Sequence, residues 1–281
     1  MTDARLVWDT WRRILTSDAL VEAAVQSKPS DPAVLALAAQ ERAVFADYAS
    51  TPVPTDTMVS MFRRGLVRNA LTALNLVPMT RRLLYTSGLD AATVAEEFVK
   101  SIGYRDDGPY FWRGAADFVA YLATLPELSH PVRQDAVALD SATIAMVRRA
   151  GQAPPPSWPD TAALHPPAAV ASERYATSRA AAVASTRYDL TPWLVNLRFA
   201  PDAPLEQAPR HWLIYLPNAE AAPAYAELSE RAARAFDLLS TPRTAAELAA
   251  DAALSVTEAL EVIDSLLETG VVLRVQEPVT R

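Results

Sequence analysis

The side chains able to do chemistry in this chain are few and dispersed. There is no cysteine, so disulfides, thiolate metal ligands and thiol nucleophiles are excluded together. His130, His165 and His211 lie far apart, and none forms the HxxxH or HExxH spacing that places two ligands on one helix face. The scattered glycines form no GxGxxG or GxxxxGK loop to cradle phosphate, and no GxSxG nucleophile elbow. Asp135 and Asp140, in HPVRQDAVALDSA, stand five residues apart on an expected helix. They do not share a face closely enough for paired-carboxylate catalysis, and a capping or salt-bridge role suits them better. The expectation is a non-catalytic chain with no metal of its own.

Two other groups could bind rather than react. Between 57 and 89 stand Arg63, Arg64, Arg68, Arg81 and Arg82. Arg64 and Arg68 lie one helical turn apart and share a face, while Val59, Phe62, Leu66, Ala70 and Leu74 can supply the buried side. On a chain of net charge -7, such a face suits an acidic partner or nucleic acid; equally, it is a solvated face paired with acids elsewhere in the bundle. Tyr104, Tyr110, Phe111, Trp112, Phe118 and Tyr121 could stack on a ligand, but at helical spacing they read first as core.

The elements that must position these residues divide in two. From 3 to 149 the apolar period is helical: Trp8, Trp11, Ile14 and Leu15 mark the first helix, and Leu35, Leu37, Val44, Phe45 and Tyr48 mark the next segment. SKPSDP (27–32) and STPVPTD (50–56) break the early helices. Further helices are expected near 57–76, 79–87, 90–101, 110–125 and 131–149. The Pro-rich run GQAPPPSWPDTAALHPP (151–167) is stiff and extended, because each proline fixes its own φ and restricts its predecessor. It reads as the boundary between a helical bundle (1–150) and a smaller domain (168–281).

Beyond it the period changes to two. WLVNLRF alternates, with Trp193, Val195, Leu197 and Phe199 on one face, and HWLIYLP (211–217) is apolar on both faces, as in a strand covered twice. With RYDL (187–190) and VVLRV (271–275) this gives about four strands. The closing segment, 244–275, reads as helix, turn, helix and strand, the outline of a winged helix. Thr244 with Glu247 and Ser255 with Glu258 have capping-box spacing, Val256, Ala259, Leu260, Ile263, Leu266 and Leu267 form a stripe, and Gly270 can end the helix left-handed. The fold class is therefore α+β, mostly α, with winged-helix-like elements.

A recognition helix approaching phosphates carries Arg or Lys. Here the exposed side shows Glu258, Glu261, Asp264 and Glu268, with no base from 244 to 273. That argues against nucleic acid and against the rival reading, a winged-helix transcriptional regulator with a helical sensing domain. A small sheet has another use: an unpaired strand edge can be completed by an extended peptide while pockets choose its side chains. The candidate contacts are Trp193, Val195, Leu197 and Phe199 on one strand and Trp212, Ile214 and Tyr215 on the other, the alternative being that both strands are simply a core hairpin. No window is apolar enough to span a membrane, and the N-terminus MTDARLVWDTWRR lacks the layout of a signal peptide, so a soluble, cytoplasmic protein is expected.

The run MVSMFRRGLVRNALTALNLVPMTRRLL, followed by FVKSIGYRDDGPYFWRGAADFVAYLATLPELSHPVRQDAVALDSA, resembles the helical domain of the partner proteins of multinuclear non-haem iron oxidative enzymes in ribosomal peptide modification, of the methanobactin-biosynthesis type. RYDLTPWL with HWLIYLP is similar to that family's C-terminal sheet, and the tail after Ala224 resembles a peptide-recognition winged helix. Asp140 stands where the family more often has Glu. The resemblance implies a subunit without catalytic metal that forms a heterodimer with a TIM-barrel iron enzyme and helps hold the leader of a precursor peptide. Iron would then belong to the partner, the sheet edge would take the leader, and the arginine-bearing bundle, with Arg63, Arg64, Arg68, Arg81 and Arg82, would dock the enzyme.

Overall fold

In the computed structural model residues 3–50, 55–105, 111–152, 168–218 and 221–275 are described. The protein is α+β and mostly α. Among the described residues nine α-helices come first: α1 (Ala4–Leu15), α2 (Asp18–Val25), α3 (Pro32–Leu35), α4 (Ala39–Ala49), α5 (Thr55–Ala73), α6 (Pro78–Thr86), α7 (Ala91–Ser101), α8 (Phe111–Leu122) and α9 (Pro131–Gly151). Then follow β1 (Tyr175–Thr177), β2 (Ala181–Thr186), α10 (Thr191–Val195), β3 (Arg210–Tyr215) and β4 (Ala224–Leu228). Helices α11 (Glu230–Leu238), α12 (Ala245–Ala252) and α13 (Val256–Glu268) and strand β5 (Val272–Arg274) close the chain. Among the described residues no helix is long and apolar enough to cross a membrane.

The chain forms two compact units: Met1–Leu74 with Gly88–Phe118, and Asn75–Ser87 with Val119–Arg281. The first is helical. Ile14, Leu20, Ala23, Ala24, Val34, Leu37 and Phe45 make one of its cores, and Trp11 stacks on Tyr48 at 4.4 Å between ring centroids. Trp8 and Leu35, expected on the buried stripes, are instead 58% exposed. Asp3, Ser17, Asp31 and Asp90 cap α1, α2, α3 and α7, each side chain accepting from a backbone amide of the first turn.

The second unit holds both sheets. One is the antiparallel pair β1–β5; the other is antiparallel with order β2-β3-β4. Strand β3 is thus central, and its Trp212, Leu213 and Ile214 are buried on both faces, as the two-faced apolar run predicts. Register puts Ala182, Ile214 and Tyr225 on one face and Val183, Leu213 and Ala226 on the other. The second face joins the core formed by Ala235, Phe236, Leu248, Ala259, Ile263 and Leu266 of α11, α12 and α13. The first face carries the Tyr225 hydroxyl to Thr143 Oγ1 of α9, at 3.0 Å. The α12-α13-β5 order is the helix, turn, helix and strand expected over 244–275. Both capping boxes are present, and Gly270 has φ 71, where a side chain would be strained.

Three expectations are corrected. WLVNLRF is not a strand: Pro192 sits in the first turn of α10, with the Thr191 amide bonded to Asp189 Oδ1 at 2.9 Å, and the chain then turns at Asn196. Trp193 and Phe199, six residues apart, meet across this turn as a stack 4.2 Å apart. RYDL is not a strand either, because β2 ends at Thr186 and the next amides turn onto Asp135. Finally, residues 119–151 group with the sheets rather than with the bundle, because α9 lies along β2 and is bonded to it at both ends. Of the expected boundary, 153–167 lie outside the described residues.

Candidate functional site, an open strand edge

Antiparallel backbone groups alternate in direction along a strand. The Leu216 amide donates to the Ala180 carbonyl at 2.9 Å, so in β3 the even-numbered residues bond toward β2 and His211, Leu213 and Tyr215 bond toward β4. Their partners on β4 are Leu228, Ala226 and Ala224. Tyr225 and Glu227 therefore turn their amides and carbonyls outward, and among the described residues neither amide nor carbonyl has a hydrogen-bond partner. The β4 edge is an unfilled ladder position.

The side chains behind that edge are held firmly. Tyr225 points onto α9, where Thr143 Oγ1 already donates to the Leu139 carbonyl at 3.0 Å, so the tyrosine hydroxyl is the donor to Thr143. Burial first, and then the nearby Asp140 carboxylate, push the Tyr225 hydroxyl up to about 12. It stays neutral and fixes the strand. Glu227 is exposed and pairs at 3.3 Å with Arg210, which also meets Asp189 at 3.3 Å. The edge is thus flanked by one carboxylate and one guanidinium on a rigid sheet.

The seven apolar residues expected to touch peptide are separated. Trp193, Phe199, Trp212 and Ile214 are buried, and Trp212 Nε1 donates to Thr186 Oγ1 at 3.0 Å. Tyr215 packs partly buried on the helical core, whereas Val195 and Leu197 are exposed, Val195 at 81%. Nor can His211–Leu216 accept a further strand, since β3 has a neighbour on each side. What remains is the neighbouring strand AYAEL, whose alternation between Pro223 and the α11 cap Ser229 is the signal that identifies it.

The five arginines are likewise divided between the two units. Arg63 is committed inside its unit: it pairs with Asp18 at 2.6 Å and lies 3.7 Å from the centroid of the Tyr104 ring. Arg64 and Arg68 are exposed on α5 without an acidic partner among the described residues, and Arg64 bonds only its own helix at Ser60. Arg81 holds Asn75 Oδ1 at 2.9 Å, and Arg82 Nε donates to the Phe199 carbonyl at 3.2 Å, closing the α10 turn. Tyr104 and Phe118 are buried, with Phe118 packed 4.9 Å from Phe98, in keeping with a core role. Tyr110 lies outside the described residues, as do the side chains of Phe111 and Trp112.

Asp135 and Asp140 have the structural roles their spacing suggests. Asp135 takes Arg187 through Nε at 2.8 Å and Nη2 at 2.7 Å, and also receives the Arg187 and Tyr188 amides. Asp140 is fully buried and accepts the Thr80 amide in the first turn of α6 at 2.6 Å. Among the described residues no group of three or more His, Asp or Glu side chains is placed to hold a metal.

On α13, Glu258 is paired with Arg231 at 3.2 Å and Asp264 accepts the Ala169 amide at 2.5 Å, so the outer side of this helix is acidic and partly engaged. No protein-family model matches the chain, and no curated protein matches it.

Proposed function

We propose that this chain is a non-catalytic partner subunit that binds the leader of a ribosomally made precursor peptide and presents it to a TIM-barrel multinuclear iron oxidative enzyme. The observation that carries the reading is the open β4 edge, where the outward groups of Tyr225 and Glu227 can pair with an extended backbone. Backbone pairing supplies affinity without regard to sequence, and the Glu227–Arg210 pair beside it favours a leader with charged positions of both signs. The acidic α13 face supports a peptide rather than nucleic acid as the ligand. Arg64 and Arg68, exposed and without acidic partners among the described residues, are the arginines best suited to dock an acidic enzyme surface. Iron and its redox chemistry belong, in this reading, to the partner.

The test is co-expression with a barrel iron enzyme and a short precursor peptide encoded beside this chain. A stoichiometric complex with iron confined to the enzyme is expected. Glu227→Pro removes an outward amide and no β3–β4 hydrogen bond, so it should leave the enzyme complex intact and weaken leader retention about 10-fold or more. Glu227→Gln separates the charge from the amide. A chain that elutes alone, or a proline variant that holds the leader as tightly as the native chain, overturns the reading.

A further inference from the structure

The three-stranded sheet has two edges, and only one of them is open. By the alternation established above, the outward groups of β2 belong to Ala181, Val183 and Ser185, continuing to Arg187 just past its end. Two of these positions are occupied by charged side chains of a single helix. Near the N-terminus of α9, Asp135 Oδ2 accepts the Arg187 amide at 2.5 Å. Near its C-terminus, Arg149 Nη2 donates to the Ala181 carbonyl at 2.6 Å, and Arg149 Nε reaches the Arg179 carbonyl at 3.4 Å.

The lengths match. From Asp135 to Arg149 an α-helix rises about 21 Å, and from Ala181 to Arg187 a strand advances about 20 Å. An acid is placed where a strand needs an acceptor and a base where it needs a donor, so α9 mimics a neighbouring strand at the two ends of the edge. The cleft along the start of β2, lined by Arg149, Arg179, Ala182, Val183, Asp237 and Ser240, has its backbone acceptor at Ala181 already occupied by the arginine. Among the described residues nothing equivalent bonds the outward groups of Tyr225 and Glu227 on β4.

We propose that Asp135 and Arg149 form a charged bracket that closes the β2 edge, so that within the three-stranded sheet an extended peptide joins β4 and not β2. Arg149 is the specificity-determining half. Its removal frees the Ala181 carbonyl beside Val183, whose outward groups have no hydrogen-bond partner among the described residues, and turns β2 into a second acceptor for a strand, the nearest being β2 of another copy of this chain. The choice of edge for a leader rests on the function proposed above. Closure of β2 does not, and self-association reads it without any peptide.

The experiment compares the native full chain with Arg149→Ala and with Arg149→Ala/Val183→Pro by sedimentation velocity over a concentration series. Val183 directs its amide outward, so proline there blocks edge pairing without removing a β2–β3 hydrogen bond. Arg149→Ala is expected to associate about 10-fold more tightly than the native chain, and the added proline to reverse it. A folded Arg149→Ala chain that associates no more than the native one, or association that survives the proline, overturns the proposal. Amide exchange in the native chain gives a reading that needs no variant. The Arg187 amide should exchange at least about 100-fold more slowly than that of Glu227, and equal rates would mean that the bracket does not close the edge.

Discussion

Asp140 places a carboxyl in the middle of α9 with no exposure to solvent, with Oδ2 on the Thr80 amide and Oδ1 without a hydrogen-bond partner among the described residues. Burial is the dominant influence on it, opposed by the donors of Thr80 and Met79, and its pKa is pushed up to about 7 from 3.8. The folded chain therefore keeps a proton that the unfolded chain releases. The stabilisation is fully present below about 4 and is lost as pH rises toward 7, with a limiting slope of about 1.4 kcal/mol per pH unit. Denaturant midpoints measured at several pH values should show this descending limb in the native chain and lose it in Asp140→Asn; an unchanged slope would assign it to other groups. The sequence indicates that Asp135 and Asp140 are structural, since their spacing fails the test for a catalytic pair. It does not indicate which amides they hold, because Thr80, Arg187 and Tyr188 are more than fifty positions away.

Elements follow their local signals closely where those signals are caps. Ser255 accepts the Glu258 amide at 3.1 Å while Glu258 accepts the Ser255 amide at 2.8 Å, and Thr244 with Glu247 repeats the pattern. The Ser255 amide and hydroxyl hold the Glu258 carboxyl below its usual range, as the Thr244 amide does that of Glu247. Helix α4 has only half of such a box: Glu41 accepts the Ala38 amide at 2.8 Å, but Ala38 has no side-chain oxygen to return the bond. Ala38→Ser should therefore stabilise the protein by about 1 kcal/mol and Ser255→Ala should destabilise it by a similar amount, measured as opposite shifts of the urea midpoint. Strands are less legible. The Ala-rich AAVAST of β2 has little intrinsic strand preference and becomes a strand by pairing with β3. WLVNLRF imitates alternation, yet Pro192, with the Asp189 carboxylate on the Thr191 amide, starts a short helix there.

Across the whole chain, the compact units cut across sequence order. Helix α9 precedes the Pro-rich run but supplies Thr143 to Tyr225, Asp135 to the end of β2 and Arg149 to its beginning. A fragment of residues 168–281 loses all three, whereas a fragment of residues 75–281 keeps them together with α6, which belongs to the same unit. The longer fragment should melt cooperatively and the shorter one should not, or should associate through β2; calorimetry of the two decides between this division and one at the Pro-rich run.

The sequence by itself determined the α+β class, the helical first half, both capping boxes and the Gly270 stop, because each rests on contacts within a few residues. It also determined that β3 is covered on both faces and that the face of α13 is acidic. Only the tertiary structure decided which strand is central, which edge is open and which is closed. Those outcomes depend on hydrogen bonds between residues tens of positions apart, and composition or period in any one segment carries no information about who stands beside it. The arginines illustrate the same limit: Arg63, Arg81 and Arg82 are drawn to Asp18, Asn75 and the Phe199 carbonyl, while their neighbours Arg64 and Arg68 stay exposed.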